Sequence, residues 1–450
     1  MKSPNGIRQD DSHSKSMRKV ALTALAGTSV EWYDFFLYAT AAALVFPVAF
    51  FPESTPTMGL ILSFGTFAFG FIARPLGGII FGHWGDKVGR KRTLVIALVL
   101  MGTASTLIGL LPTYAMIGIT APILLSILRF AQGLAIGGQW GGAMLLVTES
   151  APDNQRGHYG AYAQAGAPVG VILANLAFIL ISSTVSEEFF MTWGWRIPFL
   201  ASVVLIAISM YVQLNMEDTE AFRELEERKD KLDLGSGMRL GEERSPILEA
   251  MERYPRQILL AAGAFLSVQV TFYILIGFVL AYGSDPDGAA MTRETLLLAV
   301  LIGSAVQIAA QFVAAGYSDR HGRRGIFMLG AALLGLWGFV LFPLIDTGSF
   351  WLTVTGITGG LVFVGMMYGP QAAFYTELFS TEVRYSGASL GYQLGAIIGG
   401  AFAPTIATAL WRESTIGILG VSIYIACAAI ATILSVTFLT ETFESSLQDT

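Results

Sequence analysis

Twelve apolar stretches, each about long enough to cross a lipid bilayer, limit what this chain can fold into. A spanning helix needs about 20 mostly apolar residues. Clear single runs are 197–216, 257–284, 295–318, 325–345, 347–376, 385–411 and 414–440. Residues 157–186 give another, with His158 near its start, and 20–46 and 57–83 each carry internal charge. The run 93–128 is too long for one helix; GLLPTY at 109–114 splits it, and its second part continues through Arg129 to Thr148. The predicted fold is all-α: a polytopic membrane protein of 12 transmembrane helices in two pseudo-symmetric six-helix bundles.

Composition agrees. Only 13% of the 450 residues are charged, against roughly 25% in an ordinary globular chain. The first 21 residues are polar and basic, and the apolar run after them is too long for a signal-peptide core, so no cleaved leader is expected. The lone Cys427 lies in an apolar run and reads as a packing residue. Four scattered histidines (His13, His83, His158, His321) show no metal-ligand spacing, so no metal is expected. No GxxxxGK[ST] string occurs, which disfavours an ATP-driven pump. A membrane enzyme is the least favoured class.

Basic residues orient the spans. Twenty-two Lys/Arg fall on the side that holds both termini, three (Arg196, Arg293, Arg412) fall on the other, and Arg74 and Arg129 lie within spans. By the positive-inside rule both termini are cytoplasmic. The expected order is a cytoplasmic tail (1–19), a six-helix bundle (20–216), a charged cytoplasmic linker (217–256), a second bundle (257–440) and a cytoplasmic tail (441–450). The linker holds 20 of the 60 charged residues.

The halves repeat. GHWGDKVGRKRT (82–93) follows span 2 and GYSDRHGRRGIF (316–327) follows span 8, while ESAPDNQRG (149–157) and ELFSTEVRYSG (377–387) follow spans 4 and 10. A repeat at half the chain length suits transporters that rock two bundles about a central site. The loop GxxxDxxGRR/K resembles the signature of the major facilitator superfamily. EWYDFFLYATAAALVFP, ARPLGGIIFGHWGDKVGRKRT, LRFAQGLAIGGQWGGA, WGWRIPFL and ELFSTEVRYSGASLGYQ are similar to its metabolite:H+ symporter branch, which includes carriers of shikimate, 2-oxoglutarate, citrate, and proline or betaine. Many members carry Glu where this chain has Gln139, which argues against a proton role there. The short stretch after Thr440 argues against the osmosensing proline/betaine class, whose members share a long C-terminal coiled coil.

Ionisable residues inside a bilayer are costly and by default mark a pathway or proton relay. Glu31 and Asp34 in span 1, Arg74 in span 2 and Arg129 in span 4 are of this kind. Arg129 needs a carboxylate from another helix, and Asp34 is the leading choice. In proton-coupled sugar carriers of the superfamily an aspartate in span 1 and an arginine in span 4 act together, and the resemblance places those roles on Asp34 and Arg129. Arg74, beside Pro75, would grip a substrate carboxylate through two parallel bonds. Gln132, Gln139, Gln164, Asn175, Gln371 and Gln393, with Tyr38, Trp140, Tyr375 and Tyr392, are the candidate cavity lining; amides of this kind also serve as glue between helices. The expected gates are Asp86, Arg90, Lys91, Asp319, Arg323, Arg324, Glu149, Arg156, Glu377 and Arg384, whose guanidiniums can bridge to carboxylates or helix-end carbonyls.

Together these features lead us to expect a proton-coupled importer of a small polar metabolite in a bacterial inner membrane. The substrate class favoured is an organic acid anion such as shikimate or a di- or tricarboxylate. A zwitterion symporter and an uncoupled uniporter are the alternatives. No cofactor beyond the coupling proton and no nucleic-acid partner is expected, and the functional unit is expected to be a monomer.

Overall fold

The computed structural model describes residues 4–88, 90–137, 140–216, 246–380 and 383–443. Within them the chain is helical and carries no strand. Lipid offers no partner for a backbone N–H or C=O, and a helix satisfies both within one segment. The twelve membrane helices are α1 Pro4–Leu44, α2 Pro56–Val88, α3 Arg90–Leu110, α4 in two pieces Thr120–Gly137 and Trp140–Ser150, α5 Arg156–Ser182 and α6 Arg196–Met216. The second half repeats them as α7 Pro255–Ser284, α8 Arg293–His321, α9 Arg323–Asp346, α10 Phe350–Glu377, α11 Arg384–Glu413 and α12 Ile418–Phe438. Among the described residues nine of these are long and apolar enough to cross a membrane on that test alone. The other three, α1, α3 and α6, take their place from the packing of the bundle around them.

Some boundaries differ from the sequence reading. Helix α1 starts at Pro4, so the stretch expected as a tail is continuous with the first span over most of its length. In the expected linker, residues 217–245 lie outside the described residues, and Pro246–Arg253 form a short helix leading into α7. The break expected within 109–114 is present as non-helical residues 111–113. Arg196, at the start of α6, donates to the carbonyls of Gly109 (2.9 Å) and Leu111 (2.6 Å), so a cation holds the carbonyl end of α3.

Two spans of the second bundle are not regular α-helices. Ile274–Phe278 in α7 and Ala396–Ala401 in α11 are π-helical turns. The second falls on GAIIGG, read from sequence only as a close-packing run. An extra residue in a turn rotates the side chains on either side of it, and such bulges are frequent at functional sites. Here Gly400 of the π-turn brings α11 against the ring of Tyr273 and against Phe71 of the other bundle.

Across the bundle interface α5 lies against α8 and α10, α2 against α11, and α1 against α7. The face where α5 begins and α8, α10 and α12 end is the terminal face.

Candidate functional site

Close packing of α2 on α4 creates the centre of the site. A Cβ on Gly133 would fall 2.1 Å from the carbonyl oxygen of Gly70, and one on Gly137 would fall 1.9 Å from that of Arg74. Only glycine permits this approach. It sets Arg74 and Arg129 side by side, at 1% and 0% exposure, although they belong to different helices.

The two guanidiniums stand on the same phenyl ring. The Cζ of Arg74 lies 4.3 Å from the ring centroid of Phe35 and that of Arg129 lies 4.0 Å from it. Trp32 and Phe71 complete the walls around Arg74, and Tyr38 and Phe67 those around Arg129. Aromatic faces stabilise a cation through their quadrupole by about 2 kcal/mol or more when the pair is desolvated. They do not neutralise it. Nε and Nη2 of both arginines have no hydrogen-bond partner among the described residues. Tyr273 of α7 lies beside Arg74 and brings the second bundle to the site.

Asp34 lies one residue before Phe35 and is 1% exposed. The sequence suggested a direct pair with Arg129; instead, no ion pair joins them within 4 Å, and the link is a relay. Arg129 Nη1 donates to Gln132 Oε1 (3.1 Å), and Gln132 Nε2 donates to Ser105 Oγ (2.7 Å). Ser105 stands beside the Asp34 carboxylate, whose Oδ1 accepts from the Ser202 hydroxyl and whose Oδ2 has no hydrogen-bond partner among the described residues. A hydroxyl both donates and accepts, whereas an amide NH2 only donates and an arginine only donates, so Ser105 is the group that can turn when a proton arrives at or leaves Asp34, and Gln132 connects it to Arg129 without direct contact. Ser105, Ser202 and Phe35 had no sequence signal that separates them from ordinary span residues.

The remaining candidates divide. Tyr38 packs its ring on Arg129 and donates to Thr66 Oγ1 (2.7 Å). Tyr392 lines a small cavity between the bundles with Trp32, Phe36, Gln269, Phe272, Tyr273 and Tyr368. Gln164, Gln371 and Tyr375 line a second small cavity nearer the terminal face. Gln393 is buried on α11, and Glu31 is partly buried on α1. Gln139 lies outside the described residues, as do the side chains of Trp140, Asp86, Arg90 and Lys91.

The terminal face is bridged by a buried ion cluster. Asp319 of α8 accepts the backbone N–H groups of Gly157 and His158 of α5, both at 2.8 Å, and pairs with Arg323 at 2.6 Å. Arg323 also pairs with Glu377 at 3.1 Å, and Glu377 lies 3.9 Å from Arg156 of the first bundle. Arg384 reaches across to Glu149 at 3.5 Å. Arg324, grouped with these residues from sequence, instead donates to the carbonyls of Val436 and Thr437 and stays within its own bundle. Glu441, just past α12, accepts the N–H groups of Arg323 (2.8 Å) and Arg324 (3.0 Å), and Thr442 donates to Glu377 (2.7 Å). On the opposite face the ion pair between bundles is Arg293 with Glu187, at 2.7 Å and with Glu187 68% exposed.

Two six-helix bundles that meet on a buried charged centre and are bridged at both faces define a polytopic membrane transporter. The sequence model of the Major Facilitator Superfamily matches residues 24–390, and the chain belongs to that superfamily. It is 39% identical to the inner membrane metabolite transport protein YhjE of Escherichia coli over 438 residues, 96% of each chain. Identity to the shikimate transporter of the same organism is 40% over 394 residues, 87% of each chain. The E. coli proline/betaine transporter is 34% identical over 88% of this chain and 78% of its own. The fold matches the inward-open xylose transporter XylE of E. coli with a TM-score of 0.72, at 17% identity over 96% of this chain and 98% of that one. Like these relatives, this chain is a transporter and not an enzyme.

Proposed function

We propose that this protein is a proton-coupled symporter that imports a small organic acid anion by alternating access, working as a single chain. It would sit in a bacterial inner membrane with its terminal face in the cytoplasm. The observation that carries the reading is the pair of buried guanidiniums, Arg74 and Arg129, each with two nitrogens that have no hydrogen-bond partner among the described residues. A desolvated cation calls for an anion, and no ion pair within 4 Å joins Asp34, whose Oδ1 accepts from Ser202, to Arg129. A carboxylate between Arg74 and Tyr273 would take the free guanidinium edge and place the body of the substrate among the aromatic rings of the central cavity.

Coupling follows from the relay. Substrate charge at the arginines and proton charge at Asp34 act on one connected set of groups, so each ligand alters the binding of the other. Transit then requires the ion cluster on the terminal face to open while the opposite face closes. The shared architecture and the resemblance to the shikimate transporter support the substrate class, and the excess of Lys/Arg on the terminal side supports the orientation.

A second reading has its own support. The six aromatic side chains of the central cavity suit a quaternary ammonium group, and with Arg74 for the carboxylate they would accommodate a betaine. The deciding experiment uses purified protein in liposomes. Uptake of radiolabelled organic acids and of betaine is measured with and without an imposed inward-acidic pH gradient. Acid uptake that rises with the gradient supports the main reading. Betaine uptake without acid uptake selects the second, and uptake indifferent to the gradient makes the protein a uniporter.

A further inference from the structure

Helix α8 carries a row of polar groups with no role in the central site. Ser304, Gln307 and Gln311 are spaced three and four residues apart, so they share one face, and each is 0% exposed. The Ser304 hydroxyl and both polar atoms of each amide have no hydrogen-bond partner among the described residues. Five orphaned atoms on two helical turns, deep in a membrane domain, form a concentrated departure from the rule that buried polar groups are paired.

The neighbours of this row are small. Gly365 and Gly369 of α10 lie against the carbonyls of Gln307 (3.1 Å from a built Cβ) and Gln311 (2.3 Å). Ala314 and Ala315 carry the same helix on to Ser318, whose hydroxyl accepts from Arg323 at 2.7 Å. Across α5, Gln164 adds another orphaned amide oxygen and donates to the carbonyl of Tyr368. The row therefore leads from the middle of α8 to the Asp319–Arg323–Glu377 cluster, along a seam lined by amides, a hydroxyl, and residues with one carbon or none.

We infer that Ser304, Gln307 and Gln311 bind a file of internal water that runs along the α8–α10 seam and reaches the terminal-face ion cluster from inside the membrane domain. Internal water settles where two to four polar partners converge, and this row supplies donors and acceptors from Ser304 to Gln311, with Gln164 of α5 adding an amide beyond them. The file has a function in opening. Arg323, Glu377 and Arg156 are almost fully buried, and separating buried ions without solvent is strongly unfavourable. Water held about two turns away hydrates the ions as they part and lowers that barrier, independently of which substrate is carried.

The test is made on the whole protein in lipid, with the glutamine side-chain amides labelled with 15N. Water-edited NMR reads magnetisation passing from water to each amide, and single Gln→Asn variants assign the signals because they keep an amide. Strong transfer at Gln307 and Gln311 is expected, and its absence overturns the inference. The second readout is the double variant Gln307→Leu with Gln311→Leu. With water removed from the seam, opening of the terminal face should slow by about two- to tenfold, the range that one lost hydrogen bond gives, with no gain in thermal stability. If the amides are dry, leucine removes unpaired polar groups instead: the Tm rises and transport is unchanged, which also overturns the inference. Should the double variant fail to fold, the wild-type NMR measurement decides alone.

Discussion

Arg74 and Arg129 share one phenyl ring, with their guanidinium carbons 4.3 Å and 4.0 Å from the centroid of Phe35. Two like charges held this close in a dry site repel each other, and among the described residues no carboxylate lies within ion-pair distance of either. An arriving anion relieves that repulsion. Arg74→Lys should weaken apparent affinity for the acid by about 10- to 100-fold, since a hydrogen bond to a charged group contributes roughly 1.5–3 kcal/mol and an ammonium cannot make the bidentate pair. The esterified substrate should bind wild type and variant alike. Equal loss for acid and ester in competition assays would assign Arg74 to helix packing.

Among the described residues Asp34 is the one carboxylate beside the hydrogen-bonded chain from Ser105 through Gln132 to Arg129. Asp34→Asn removes the proton site but keeps an acceptor for Ser202. Accumulation driven by a pH gradient should be lost while counterflow exchange persists, because exchange moves no net proton. Gradient-driven uptake surviving in this variant would move the role to Glu31. A purely structural role predicts a different pattern: each single change destabilises the protein, and Asp34→Asn with Arg129→Gln regains stability and activity together.

Asp319 holds two N–H groups of α5 and the Arg323 guanidinium at once. Asp319→Asn keeps the shape, removes the charge and presents an NH2 group to at least one donor. The terminal face should then open more often, and alkylation of a cysteine introduced at Ser389, which lines the cavity below the cluster, should speed up on a background with Cys427 replaced. Net transport should slow, because the opposite state becomes harder to reach. Unchanged labelling together with unchanged transport would leave these residues as topology signals only.

The opposite face gives a contrast. Glu187 in the Arg293 pair is 68% exposed, and exposed pairs contribute about 0.2–1 kcal/mol at most. Glu187→Gln should change stability and transport far less than Glu377→Gln, and the difference should show in thermal-shift and uptake assays run in parallel. A large effect at Glu187 would mean that the two faces are bridged with similar strength.

Gly137 is the tightest point between α2 and α4. Gly137→Ala places a methyl where Arg74 has its carbonyl oxygen, and overpacking of this kind costs about 1–3 kcal/mol. The Tm should fall, and acid affinity should fall with it because the two guanidiniums move apart. A variant with wild-type affinity would show that their spacing is set elsewhere.

The sequence by itself determined the helices, the repeat and the chemistry of the charges. Twelve apolar runs could only become spans in lipid, because a bilayer leaves the backbone no other way to pair its polar groups. Arg74, Arg129 and Asp34 were legible because a charge in a span is too costly to be incidental. The tertiary structure decided which groups meet. Ser105 and Ser202 are 97 residues apart and look like any span serine, yet both stand at Asp34. Phe35 reads as one aromatic in EWYDFF, and becomes the shared wall of two cations only once glycines draw α2 onto α4. The π-turns of α7 and α11 have no mark in ILIGF or AIIGGA that apolar periodicity could read, and the second packs on Phe71 of the other bundle. Arg129 needed a partner from another helix, but sequence could not tell a direct ion pair from a relay through Gln132, because the difference lies in helix rotation and spacing of a few ångströms, which apolar periodicity does not encode.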